Sequence, residues 1–213
     1  MRVLLFAGGT LFPEAFQEIK ESDILVGVDS GAWALLEHGF SPAAAIGDFD
    51  SVTMEQAEYI KQHSKKVFSC DAFDKDKTDT EMGLEFALHK KPDKIIMFGV
   101  TGTRLDHTFA NIFLLEKALD KGIEAEITDP QNKVSLVNRY KKIEKDTYTF
   151  VSFLPVSYKA AGVTLNGFLY PLKDAVLIRK ETLGISNKIT EKEAEIYVKN
   201  GVLLVIKSKD GKD

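Results

Sequence analysis

In Ala43-Ala44-Ala45-Ile46-Gly47-Asp48-Phe49-Asp50-Ser51 a short apolar run stops at a glycine and gives way to two acids. The run Ala43–Ile46 suits a buried strand, and the amphipathic stretch at 53–63 that follows suits a helix. The same unit recurs on both sides. Val3–Ala7, Ile24–Val28 and Ile95–Val100 are further apolar runs, and amphipathic stretches lie around 12–20, 30–38, 79–89 and 107–120. Strands alternating with helices predict a mostly parallel sheet covered by helices. Asp106 is expected to cap the last helix, and Thr78 with Glu81 forms a Ser/Thr-x-x-Glu capping box before Leu84, Ala87 and Leu88.

At Thr128-Asp129-Pro130-Gln131-Asn132 the pattern changes to turn chemistry followed by strand after strand. Lys133–Asn138, Tyr148–Leu154, Val163–Tyr170, Ala175–Arg179, Ala194–Lys199 and Val202–Lys207 are rich in Val, Ile, Tyr, Phe and Thr. Asn200-Gly201 reads as a two-residue hairpin turn. The fold class expected is therefore α/β: an α/β domain over 1–128, then a small all-β antiparallel sandwich over 133–213.

Composition narrows the function. With 213 residues, 44% hydrophobic and 28% charged, the chain is long enough for one large domain or two small ones and is not a disordered polymer. A net charge of −4 gives no broad basic footprint, so no nucleic-acid partner is expected. The lone Cys70 cannot form an internal disulfide or a thiolate zinc site, which points to a reducing compartment, the cytoplasm. The run after Met1-Arg2 is interrupted by Gly8-Gly9-Thr10 and reads as a first strand, not a signal peptide. No stretch reaches the ~20 apolar residues of a membrane helix, so no membrane partner is expected.

The acidic signal falls where α/β sheets put their ligands, at the carboxyl ends of strands. Asp29 follows the strand Ile24–Val28; alone, it reads first as a helix cap. Asp48 and Asp50, two apart in an extended segment, would face one side while Phe49 turns into apolar packing. Converging carboxylates repel unless a cation lies between them, and hard oxygen ligands suit Mg²⁺, which commonly bridges to phosphates. Asp71-Ala72-Phe73-Asp74-Lys75-Asp76-Lys77-Thr78-Asp79 leads into a helix. It is not a calcium loop, because Asp79 stands where the sharp turn needs glycine. Lys75 or Lys77 and the helix N–H groups can meet phosphate oxygens while Asp76 or Asp79 faces the metal. In Gly99-Val100-Thr101-Gly102-Thr103-Arg104-Leu105-Asp106-His107 a strand turns into a helix that carries Asn111 one turn beyond His107. Backbone N–H groups and a guanidinium there can hold an anion. No Gly-x-x-x-x-Gly-Lys-Ser/Thr run exists, and Gly8-Gly9 is too weak a signal to use.

With these residues in view, the chain resembles the thiamine pyrophosphokinase family. The resemblance rests on Gly47-Asp48-Phe49-Asp50-Ser51, Asp74-Lys75-Asp76-Lys77-Thr78-Asp79, Gly102-Thr103-Arg104-Leu105-Asp106-His107 with Asn111, Gly162-Val163-Thr164-Leu165-x-Gly167, and Ser186-Asn187. It implies a first domain binding Mg-ATP, a second helping to bind thiamine, and a homodimer whose active site is shared between chains. It also implies transfer of the ATP diphosphate to the thiamine hydroxyl, releasing AMP. Asp48, Asp50 and Asp76 are then the expected metal ligands, and Asp79 lies near the attacking hydroxyl. Asp29, Lys77, Thr78, Gly102, Arg104, Asp106, His107 and Asn111 are expected nucleotide or phosphate contacts, and Ser186 and Asn187 bond the aminopyrimidine. The residues alone also allow a phosphohydrolase of the haloacid dehalogenase type, since Asp48-Phe49-Asp50-Ser51-Val52 and Asp74-Lys75-Asp76-Lys77-Thr78 both approximate its nucleophile motif, or a non-catalytic nucleotide or thiamine sensor.

Overall fold

The computed structural model describes residues 1–68 and 76–211. The chain divides into two compact units, Met1–Asp129 and Pro130–Asp213. In the first unit β1 (Arg2–Phe6), α1 (Pro13–Gln17), β2 (Ile24–Val28), α2 (Ser30–Glu37), β3 (Ala44–Ile46) and α3 (Met54–His63) come in order. They are followed by β4 (Val67–Phe68), α4 (Asp79–His89), β5 (Lys94–Phe98), α5 (Leu105–Leu119) and β6 (Glu124–Thr128). The strands pair in parallel as β4-β3-β2-β1-β5-β6. Strand order thus reverses between β1 and β5, and every strand sends its carboxyl end to the same edge. Near-continuous apolar strands are what a sheet buried on both faces requires. Leu4, Phe6, Leu25, Ile96 and Phe98 pack with Ala15, Phe16 and Leu35 in one cluster.

Two of these strands carry little signal of their own. β4 is two residues long, and Glu124-Ala125-Glu126-Ile127-Thr128 alternates acid and apolar residues. The helix ends partly depart from expectation. Thr53 and Gln56 make the full reciprocal box at the start of α3. Thr78 Oγ1 does accept the Glu81 N–H at 3.2 Å, but the Glu81 carboxylate bonds Lys117 at 2.6 Å instead of closing the box. Asp106 is not the cap of α5: the N-cap is Arg104, and Asp106 lies inside the first turn.

The second unit comprises β7 (Asn132–Val137), β8 (Tyr140–Glu144), β9 (Phe150–Pro155), β10 (Lys159–Asn166), β11 (Leu172–Ile178), β12 (Glu193–Tyr197) and β13 (Leu203–Ser208). β13 pairs antiparallel with β7 and β9, while β11-β10-β12-β8 form a second antiparallel sheet. Both sheets contribute to one core, including Val137, Ile143, Phe153, Leu165, Leu177, Ile196 and Val205, which makes the unit a sandwich. Asn200-Gly201 is not a hairpin. β12 and β13 lie in different sheets, and the link is pinned to β10 by Ala161 N–H to Asn200 O at 2.9 Å and Asn200 N–H to Ala161 O at 3.1 Å. Gly201 has φ +93°, and a Cβ there would stand 2.6 Å from the Lys159 carbonyl, so the Asn-Gly pair serves a sheet-to-sheet crossing. The strand expected over Val163–Tyr170 ends at Asn166, because Phe168 and Leu169 pair with Ile189 and Lys188 rather than continue the ladder.

Candidate active site

The carboxyl edge of the first unit gathers acids from three consecutive strand ends. Asp29 leaves β2 with φ +48°, and its N–H bonds the Ile46 carbonyl at the end of β3 (3.0 Å). Asp29 is the N-cap residue of α2, its carbonyl accepting the Ala32 N–H at 3.0 Å, but its side chain makes no capping bond. Its Oδ1 is buried without a hydrogen-bond partner. Burial first, then repulsion from Asp79, Asp48 and Asp50, pushes its carboxyl up to about 7, against which the Phe49 N–H works. Asp29, placed among nucleotide contacts by resemblance, is therefore electrically part of the acidic cluster.

Gly47-Asp48-Phe49-Asp50 is a turn, not the extended segment expected. Phe49 has φ +60°, and the Asp50 N–H bonds Asp48 Oδ1 at 3.0 Å. The side chains nonetheless divide as expected: Asp48 and Asp50 are exposed, and Phe49, 6% exposed, packs with Ala32, Ala45 and Ile60. Gly47 has φ +142°, and a Cβ built on it would lie 1.9 Å from Asp29 Oδ1.

The third acidic stretch is described only from Asp76 onward; Cys70, Asp71, Asp74 and Lys75 lie outside the described residues. Asp76 is exposed, and Asp79 is half-buried at the first turn of α4, where the helix N-terminus favours negative charge. Lys77 Nζ bonds Glu85 Oε2 at 3.2 Å, and Lys117 bonds both Glu81 and Glu85 at 2.6 Å, tying α4 to α5. Lys117, then Lys77, hold the Glu85 carboxyl below its ordinary range.

On the β5 side, Arg104 bonds Asp106 through Nη2 at 2.7 Å and Nε at 3.3 Å. That guanidinium and the His107 N–H draw the Asp106 carboxyl down to about 2. His107 is exposed, whereas Asn111 is 6% exposed and donates to the Val100 carbonyl at 2.8 Å. The two do not act as a pair; Asn111 fixes the turn after β5. Gly102 is exposed, with its N–H on Thr108 Oγ1 at 3.4 Å. Gly8-Gly9-Thr10, set aside as too weak, stands where strand order reverses. Gly9 N–H bonds Gly99 O at 2.7 Å and Thr10 N–H bonds Thr101 O at 3.1 Å. The strand order that marks this place cannot be read from Gly-Gly alone.

In the second unit Ser186 and Asn187, expected as a pair of substrate contacts, differ. Ser186 is exposed at φ +57°; Asn187 is 2% exposed, with its side chain bonded to the Tyr170 backbone. The Tyr170 ring is 62% exposed.

The acid cluster suits a cation in charge and chemistry: a buried carboxylate oxygen lacks a donor, and neighbouring carboxylates raise the cost of ionising it. Among the described residues, no three His, Cys, Asp or Glu side chains are gathered closely enough to hold an ion as they stand. Also among them, no helix is long and apolar enough to cross a membrane.

The raised Asp29 carboxyl has a sign that can be checked. Its folded value, about 7, exceeds the ordinary 3.8, so between these pH values the folded state retains a proton that the unfolded state has released. Stability must then fall as pH rises through that window, being complete below about 4 and lost by about 7. In chelator-treated protein Tm is expected to decline by a few degrees over this range, and Asp29→Asn to abolish the decline. An unchanged slope in the variant would place the titrating group elsewhere.

Comparison with known proteins follows the same division of the chain. Residues 16–127 match the family model of the thiamin pyrophosphokinase catalytic domain, and residues 140–203 that of the thiamin pyrophosphokinase vitamin B1 binding domain. The chain is 36% identical over 211 residues to the thiamine pyrophosphokinase of Bacillus subtilis (strain 168), covering 97% of this chain and 98% of that protein. A crystal structure of thiamine pyrophosphokinase from Bacillus subtilis superposes with a TM-score of 0.91 at 35% identity, covering 99% and 100% of the two chains. That of thiamin pyrophosphokinase from Geobacillus thermodenitrificans gives 0.90 at 37%, covering 99% of each.

Proposed function

This chain belongs to the thiamine pyrophosphokinase family and acts as an ATP:thiamine diphosphotransferase; from that premise we propose how its residues divide the work. The first unit binds ATP with Mg²⁺ and the second binds thiamine. The observation that carries this is the convergence of Asp29, Asp48, Asp50 and Asp79, delivered by separate strand ends onto one electrostatically coupled patch.

Asp48, Asp50 and Asp76 would hold Mg²⁺. The bound ion supplies charge neutralisation to the phosphate oxygens and lowers the cost of keeping these carboxylates ionised. Arg104 and the N-terminal N–H groups of α4 and α5 bind phosphate oxygens, with Asp106 orienting the guanidinium. Thr78 and Lys77 flank the same helix start; His107 and Gly102 border the nucleotide. The thiamine hydroxyl attacks the β-phosphorus of ATP, a new O–P bond forms, and the bond from that phosphorus to the bridging oxygen of AMP breaks. Asp79 receives the hydroxyl proton. Such a transfer needs positioning and charge balance more than covalent help.

In the second unit the exposed Tyr170 ring offers a flat aromatic face to a cationic heteroaromatic substrate, and Ser186 offers a hydrogen bond beside it. We take the enzyme to be a cytoplasmic homodimer. Leu105, Phe109 and Phe113 lie exposed at four-residue spacing along α5, the kind of stripe a partner covers. A haloacid dehalogenase reading would require an aspartyl-phosphate on Asp48 or Asp50, and neither family match supports it.

The test is AMP release measured in parallel with thiamine, with thiamine monophosphate and without acceptor, all with Mg-ATP. Release is expected with thiamine and absent without acceptor. AMP formed equally in all three, or inorganic phosphate in its place, would contradict the assignment.

A further inference from the structure

We propose that Asn187 is a positioning residue for thiamine, clamping the backbone of Tyr170 so that the Tyr170 ring is held for the substrate, without itself touching it. This rests on the reading that the second unit binds thiamine through Tyr170 and Ser186. Asn187 Oδ1 accepts the N–H of Tyr170 at 3.0 Å and of Lys188 at 2.9 Å, and Nδ2 donates to the Tyr170 carbonyl at 2.7 Å. An amide side chain offers two acceptor sites and two donors. Three of the four are spent inside the protein, including both acceptors. The pattern also fixes which end is oxygen, because two N–H groups face one atom and a carbonyl faces the other. At 2% exposure the residue has no surface left for a ligand.

Its own backbone is equally committed. Asn187 N–H bonds Val151 O at 2.9 Å, and Val151 N–H bonds Asn187 O at 2.8 Å, anchoring the node to β9. Next to it, Ser186 N–H bonds Ser152 Oγ at 3.0 Å, Leu169 N–H bonds Lys188 O at 2.8 Å and Thr190 N–H bonds Gly167 O at 3.0 Å. Segments 167–170 and 186–190 are thus sewn together, with Phe168 buried against Phe153 and the Tyr170 ring left outward. A side chain that satisfies both backbone groups of one residue fixes the backbone from which that residue's ring projects. Without it, two polar backbone groups beneath the ring lose their partners.

A double-mutant cycle on the full-length enzyme separates positioning from contact. Tyr170→Ala and Asn187→Ala are each expected to raise the thiamine KM about tenfold, equivalent to about 1.4 kcal/mol, with the ATP KM unchanged and kcat altered less than about threefold. If Asn187 acts through Tyr170, the double variant is no more than about threefold worse than the poorer single one. Effects that multiply to about a hundredfold would show that Asn187 acts independently, overturning the proposal, as would a Tyr170→Ala enzyme with unchanged thiamine KM. Should Asn187→Ala fail to fold, hydrogen exchange of wild-type amides decides the clamp: slow exchange at Tyr170 and Lys188 supports it, and unprotected exchange refutes it. Wild-type enzyme that releases no AMP with thiamine removes the underlying reading instead, a result distinct from any in the cycle.

Discussion

Asn in place of Asp48 or Asp50 is expected to lower kcat at least about 10²–10³-fold, the loss typical when one preorganised electrostatic partner of a transition state is removed. The substitution preserves size and changes only charge. Because Asp48 and Asp50 both repel the Asp29 carboxylate, each variant should melt at or slightly above the wild-type temperature near neutral pH. Loss of turnover would thus come with an intact fold, which initial rates and melting curves on the same preparations can establish. Turnover at the wild-type level with ordinary Mg²⁺ dependence would remove these side chains from the site.

Gly47→Ala carries the second large effect, and it acts through shape. The backbone there has φ +142°, and the added methyl would fall 1.9 Å from Asp29 Oδ1. Either Asp29 moves away from the cluster or the turn holding Asp48 and Asp50 changes course. Strain at such a position costs about 1–3 kcal/mol, and a displacement near 1 Å at a reacting site can cost about 10²-fold in rate. Gly47→Ala should therefore lose both stability and turnover. Gly102→Ala, with no positive φ and nothing within 4 Å of the added carbon, should melt within about 0.5 kcal/mol of wild type. Equal melting of the two variants would contradict this account of Gly47.

The parallel sheet was legible because Val3–Ala7, Ile24–Val28 and Ile95–Val100 are apolar runs divided by helical periodicity, a pattern only a doubly covered sheet explains. β4 was not, since two residues carry no period. Nor was β8, whose Tyr140-Lys141-Lys142-Ile143-Glu144 buries Ile143 well and little else. Asn200-Gly201 misleads because a glycine demanded by positive φ looks the same in a hairpin as in a crossing between sheets. For Asp48 and Asp50, the proposed metal ligands, the expected geometry was only half correct. The alternation of an extended strand put Phe49 inside, but a left-handed Phe49 and an Asp48-bonded turn achieve it. Asp29 could not be joined to them by spacing, for only the pairing of β2 with β3 brings it beside Gly47. Ser186-Asn187 shows the opposite limit: the dipeptide is plain in the sequence, yet the inward turn of Asn187 depends on Tyr170, seventeen residues away.

Direct metal binding examines the carboxylate cluster without relying on turnover. Mn²⁺, titrated into wild-type protein without nucleotide and followed by electron paramagnetic resonance, should show saturable loss of the free-ion signal at substoichiometric metal. Asp48→Asn under the same conditions should leave the ion free over that range. Equal binding by the two proteins would contradict the assignment of the strand-end aspartates to the metal.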